Sequence, residues 1–85
     1  MERCPAKMTL EQALGCEIKK ARESLQKSQQ TLAFDAEVHR TYISLIERGQ
    51  KSPTLAVIER LAKALNVRPS ELLRRVEARL ERANS

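Results

Sequence analysis

The stretch from Ser28 to Gly49, SQQTLAFDAEVHRTYISLIERG, decides the fold. Leu32, Ala33 and Ala36 give its first half an apolar edge at helical spacing, and Tyr42, Ile43 and Ile46 do the same for its second. Only Glu37-Val38-His39 separates the two segments, too short a connector for antiparallel packing without a crossing. Helices joined this tightly meet at a steep angle and form a helix-turn-helix, which can present its second helix to a DNA major groove. Gly49 closes the pair, since glycine readily takes the left-handed conformation that ends a helix.

Within this stretch, Ser28 caps a helix predicted over about Gln29 to Ala36. Phe34 is two residues from both Leu32 and Ala36, so it is either a rim residue packed on the turn, the favoured reading, or an exposed contact. The next helix, about Arg40 to Arg48, buries Ile43 and Ile46 and partly covers Tyr42. Arg40, Thr41, Ser44 and Leu45 are left on its outer face.

Upstream, Thr9 and Gln12 form a capping box, and Leu14, Ile18, Ala21 and Leu25 make one apolar stripe. A first helix is expected over about Leu10 to Leu25, with residues 1–8 as a tail and Cys16 as a partly exposed thiol. Downstream, Gln50-Lys51-Ser52-Pro53 is a basic loop that the proline keeps out of the helix. Thr54 caps a fourth helix carrying Leu55, Ile58, Leu61, Ala62 and Leu65, with Asn66 at its end. Pro69 suits the first turn of a fifth, running to about residue 83 with Leu72, Leu73, Val76 and Leu80 as its stripe. In that helix Glu71 stands four residues before Arg75, the favourable order for an ion pair.

Eighty-five residues make one small domain, and with two aromatics the core must be aliphatic. Two glycines, three prolines and no alternating β-branched run exclude a turn-rich β fold, so the chain reads as all-α. Sixteen basic and eleven acidic residues give a net charge of +5, which favours polyanions, although solvated basic faces are common on small helical proteins. No secretory apolar segment and no membrane-length run is seen, so a cytoplasmic location with Cys4 and Cys16 as reduced thiols is expected. A zinc site needs more ligands than these and His39 supply, so no metal is assigned. No phosphate-cradling glycine loop, carboxylate cluster or base beside a cysteine points to an enzyme, and no cofactor is implied.

Leu14-Gly15, Ile18, Ala21-Arg22, Ser28-Gln29, Leu32-Ala33, Tyr42-Ile43-Ser44 and Ile46-Glu47-Arg48-Gly49 together resemble the Cro/lambda-repressor, or XRE-like, class of regulators. Ser52-Pro53-Thr54-Leu55, Leu61-Ala62-Lys63-Ala64-Leu65 and Pro69-Ser70-Glu71-Leu72-Leu73 extend the resemblance to about Leu14 to Leu73. It implies a compact five-helix bundle of the lambda-repressor-like type, with an extended C-terminal helix and a third helix that reads the major groove. By the same resemblance, Gln29 contacts phosphate and braces the recognition helix. Arg40, Thr41, Ser44 and Leu45, with His39 beside them, occupy base-reading positions, and Arg48, Gln50, Lys51 and Ser52 match a phosphate-contacting loop. Arg22 and Glu47 correspond to an ion pair between the first and third helices. Gln26 and Glu37 stand where the family usually has glycine, so positive φ is expected there. Lys27 replaces a usual apolar residue and is expected to lay its stem on the core with its amine in solvent.

One recognition helix reads only a few base pairs, so a homodimer on a palindromic double-stranded operator is expected, joined through Leu72, Leu73, Val76 and Leu80; in the other reading, Leu72, Leu73 and Val76 cap the core of the monomer. No membrane or small-molecule effector is expected as a partner. The length and the RTYIS–IERG run resemble restriction–modification controller proteins. The alternative is an antitoxin or adaptor that works partly through protein contact.

Overall fold

The computed structural model describes residues 7–84. Among them are α1 (Leu10–Ser24), α2 (Gln29–Asp35), α3 (Arg40–Glu47), α4 (Leu55–Ala64) and α5 (Pro69–Asn84), and no strand. Each start has a local cause. Thr9 and Gln12 bond reciprocally at the head of α1, Gln12 N–H to Thr9 Oγ1 at 3.2 Å and Thr9 N–H to Gln12 Oε1 at 2.9 Å. Ser28 and Thr54 accept from the backbone of Thr31 and Val57 at the heads of α2 and α4. These side chains satisfy donors that the first turn of a helix leaves free.

The first four helices end alike. The N–H groups of Lys27, Val38, Gln50 and Val67 reach back to the carbonyls of Arg22, Ala33, Leu45 and Ala62, respectively. That wrap needs a left-handed residue just before each, and Gln26 (φ 57°), Glu37 (φ 59°), Gly49 (φ 72°) and Asn66 (φ 61°) supply it. The positive φ expected at Gln26 and Glu37 is present at both. Helix boundaries fall within about two residues of the expected ones, the usual uncertainty at frayed ends.

α1 lies between α3 and α5, α2 packs on α3 and α4, and α4 packs on α5. Ile18, Leu32, Ile43, Ile46, Leu61, Leu72 and Val76 are fully buried where these helices meet. Burying each such side chain stabilises by roughly 1.5–3 kcal/mol. Polar links close the bundle. Arg79 Nε donates to the buried carboxylate of Glu17, tying α5 to α1. The Asn84 amide pairs with both backbone groups of Met8, at 3.0 Å each. Arg60 Nε donates to the Ala36 carbonyl at the end of α2, at 2.9 Å.

Several expectations are corrected by packing. Met8, the last residue of the expected tail, is buried in the core, while residues 1–6 lie outside the described residues. Phe34 is 83% exposed rather than packed on the turn, because Leu32, Ala33 and Ala36 already fill the inward edge of α2. In α4 Val57 is buried and Leu55 is 76% exposed, so the inward face is turned away from Leu55. Lys27 does not send its amine freely into solvent. Its Nζ bonds Asp35 and the Ala64 carbonyl, each at 2.8 Å, and so joins the ends of α2 and α4. Cys16 is disulfide-bonded, not a free thiol. Cys4 lies outside the described residues.

Candidate nucleic-acid interface

α3 has one face fixed inside the bundle and one free. Ile43 and Ile46 point inward and are fully buried. Successive residues turn about 100° around a helix, which puts Arg40, Thr41, Ser44, Leu45 and Arg48 together on the opposite side. Arg40, Thr41 and Arg48 are exposed there, and Ser44 and Leu45 half-buried.

The depth and angle of α3 are set from α1. A Cβ on Gly15 would lie 2.3 Å from the Ile46 carbonyl oxygen and 2.8 Å from that of Glu47. Backbone therefore meets backbone at this crossing, and no side chain fits between. About two turns further along α1, Arg22 clamps Glu47. Its Nε donates to Oε2 at 2.7 Å and its Nη2 to Oε1 at 3.0 Å, while Nη1 donates to the Lys27 carbonyl at 2.8 Å. Gln29 Nε2 adds a third bond to the Glu47 carboxylate at 3.1 Å. The two charged side chains keep 11% and 3% of their surface, for Arg22 and Glu47 in turn. The hydrogen bonds it donates to Glu47 hold the Arg22 guanidinium above its usual range, against the opposing effect of burial. Removing one partner from so buried a pair strands the other, at a cost of about 3–5 kcal/mol.

The remaining residues singled out in the sequence fall into distinct settings. His39 is the N-cap of α3, and its Nδ1 accepts from the Thr41 N–H at 3.0 Å, leaving only its other ring nitrogen directed to solvent contacts. Arg48 folds back so that its Nε meets the Ser44 carbonyl at 3.3 Å, where a cation suits the helix C-terminus. Gln50, Lys51 and Ser52 are exposed in the loop that follows. Gly49 must be glycine in this loop for two reasons, its positive φ and the 2.7 Å that would separate a Cβ from Gln12 Cγ.

Leu72 and Val76 do not reach any surface, being buried against the rest of the protomer. Of the four expected interface residues, Leu73 is 40% exposed and Leu80 partly buried. Leu10, at 58% exposure, was missed, and it lies with Leu73 beside a small apolar depression of about 90 Å³ floored by Leu14, Ile58 and Val76.

The helix-turn-helix family profile matches residues 18–72, which brackets the Arg22–Glu47 clamp and all of α3. The chain belongs to the XRE-type helix-turn-helix family of DNA-binding regulators. Among its relatives, the control protein C.BamHI of Bacillus amyloliquefaciens is 54% identical over 46 residues, 54% of this chain and 57% of that protein. That match thus spans little more than half the length of C.BamHI. The control protein C.SmaI of Serratia marcescens is 37% identical over 68 residues, covering 80% of this chain and 81% of that one. The restriction-modification controller protein C.Esp1396I, solved as a tetramer in complex with its natural 35 base-pair operator, superposes with a TM-score of 0.78 at 28% identity. That superposition covers 88% of this chain and 99% of that one.

Two polar positions escaped sequence reasoning. Glu17 had a readable signal: it follows Leu14 by three residues and precedes Ala21 by four, so a carboxylate stands on an apolar stripe and requires a partner. The capping role of His39 had a weaker one, since histidine is not among the preferred N-cap residues.

Proposed function

We propose that this protein is a restriction–modification controller that binds a palindromic operator as a homodimer, with α3 of each protomer in the major groove. The observation that carries this reading is the division of α3 into a locked face and a free one. Ile43, Ile46 and Glu47 are held by α1 and α2, while Arg40, Thr41 and Ser44 stand outward with no competing role in the core. Among these, Arg40 has the reach and the paired donors to bond guanine at N7 and O6. Thr41 and Ser44 supply hydroxyls for base edges or phosphates, and Leu45 or the Thr41 methyl meets a thymine methyl. His39, its Nδ1 engaged in the cap, contributes through its free edge beside them.

Phosphates are assigned to Gln29 at the head of α2 and to Arg48, Gln50, Lys51 and Ser52 after α3. Gln29 uses one Nε2–H on Glu47, so bracing and phosphate contact use the two hydrogens of one amide nitrogen. Such contacts set register, whereas those of Arg40, Thr41 and Ser44 set sequence.

The dimer face is assigned to Leu10, Leu73 and Leu80, which line one groove along α5, with Leu10 and Leu73 also bordering the apolar depression, in place of the buried Leu72 and Val76. The relative bound to its operator as a tetramer supports multimeric action on DNA. Work on DNA places the protein in the cytoplasm.

Arg40→Ala tests the base-reading assignment. Binding to the operator is expected to weaken by about 1–3 kcal/mol, with preference relaxed at one base position of each half-site. Equal weakening on every sequence would make Arg40 a phosphate contact instead.

A further inference from the structure

Far from the face that α3 presents, α1 and α5 enclose an open groove of about 430 Å³. Lys20, Arg74, Arg75 and Arg82 line it, with Glu17 and Ser24. Gly15 and Arg22, which hold α3, are seven residues apart and share one side of α1. Glu17, Lys20 and Ser24 lie about 140–200° around the helix from that side. An operator gripped by α3 therefore does not occupy this groove.

The charges in the groove are not balanced. Glu17, the carboxylate among the lining residues, is already paired with Arg79. Glu71 engages Arg74 through Nε and Nη2 but Arg75 through Nε alone. Both Nη groups of Arg75, Nη1 of Arg74 and the Lys20 ammonium have no partner among the described residues. The last turn of α1 does not fill the groove with free acceptors either, because the Ala21 carbonyl accepts from Ser24 Oγ and from the Leu25 N–H. What remains is a set of spare donors on several cations, spaced around a cavity large enough for an anion with several oxygens.

We infer that the α1–α5 groove is a phosphate-binding site, separate from the operator-reading surface, in which Lys20 and Arg75 are the main ligands. Tetrahedral phosphate oxygens match a guanidinium fork on one side and a point cation on the other. Phosphate esters reach such a site from two sources: a small phosphorylated ligand, or the backbone of a DNA segment other than the one under α3.

Inorganic pyrophosphate, titrated at constant ionic strength and followed by the arginine Nε–Hε resonances, tests the site. Saturable binding is expected, weakened about tenfold in each of Lys20→Gln and Arg75→Gln and unchanged in Lys63→Gln, an equal loss of charge on exposed α4. Lys20 is exposed and Arg75 gives up one bond to Glu71 within α5, so the variants are expected to fold, and a cooperative melting transition in each establishes that they do. A response that never saturates, or an equal weakening by Lys63→Gln, would overturn the inference and leave only general charge attraction. A short random-sequence duplex then assigns the source. A salt dependence shallower by about one unit in Lys20→Gln identifies DNA phosphate, and an unaltered slope identifies a small phosphorylated ligand.

Discussion

Glu37 sits in the turn of the helix-turn-helix with its backbone left-handed, φ 59°. A side-chain-bearing residue is strained there by about 1–2 kcal/mol, partly offset by the smaller entropy it loses on folding compared with glycine. Glu37→Gly is therefore expected to stabilise the protein by about 0.5–1 kcal/mol, seen as a higher denaturation midpoint with an unchanged slope. A lower midpoint would mean that the Glu37 side chain makes a contact outweighing its strain. Glu71 adds a small part to the acid response. Hydrogen bonds from Arg74, then Arg75, lower its carboxyl from 4.5 to about 2. A carboxyl lowered on folding contributes stability that is complete above its unfolded value and is lost as pH falls through the folded one. Between about 4.5 and 2 the parent is expected to lose a small, salt-screened increment that Glu71→Gln lacks, measured as converging melting temperatures. At this scale the strained turn was legible, because non-glycine residues stood at glycine positions. The His39 cap was not, since its signal is a single atom's direction.

The clamp joining α1 to α3 is the element-scale device that fixes the angle of α3. Arg22→Ala leaves a carboxylate with 3% of its surface exposed and only Gln29 as partner. A loss of about 3 kcal/mol is expected by chemical denaturation, with base preference unchanged on whatever fraction stays folded. Equal stability of variant and parent would show that the pair is solvated in solution. Gly15→Ala is expected to lower the melting temperature as well, since its Cβ would press on backbone carbonyls that have no rotamer to yield. The helices themselves were readable from caps and periodicity, as Thr9, Ser28 and Thr54 demonstrate. Which side of each helix goes inward was less so. α4 is apolar over a wide arc, and the choice of Val57 over Leu55 is made by its neighbours. Leu72 and Leu73 are adjacent in sequence, yet one is core and the other surface, a distinction that depends on where α5 meets α1 and α4.

At the scale of the whole molecule, the apolar face around Leu10 and Leu73 is the surface proposed above to receive a second protomer. Leu73→Glu is expected to yield single chains in light scattering with the helical content intact, and to weaken operator binding steeply. Persisting dimers would move the interface elsewhere. Dimerisation matters because one α3 contacts too few bases to single out a site, whereas two contacts set a fixed distance apart do. Selection of bound sequences from a random duplex pool tests this most directly. The expected product is an inverted repeat whose half-sites are centred about one helical turn of DNA apart, or a multiple of it. An enriched sequence without twofold symmetry, or no enrichment at all, would contradict it.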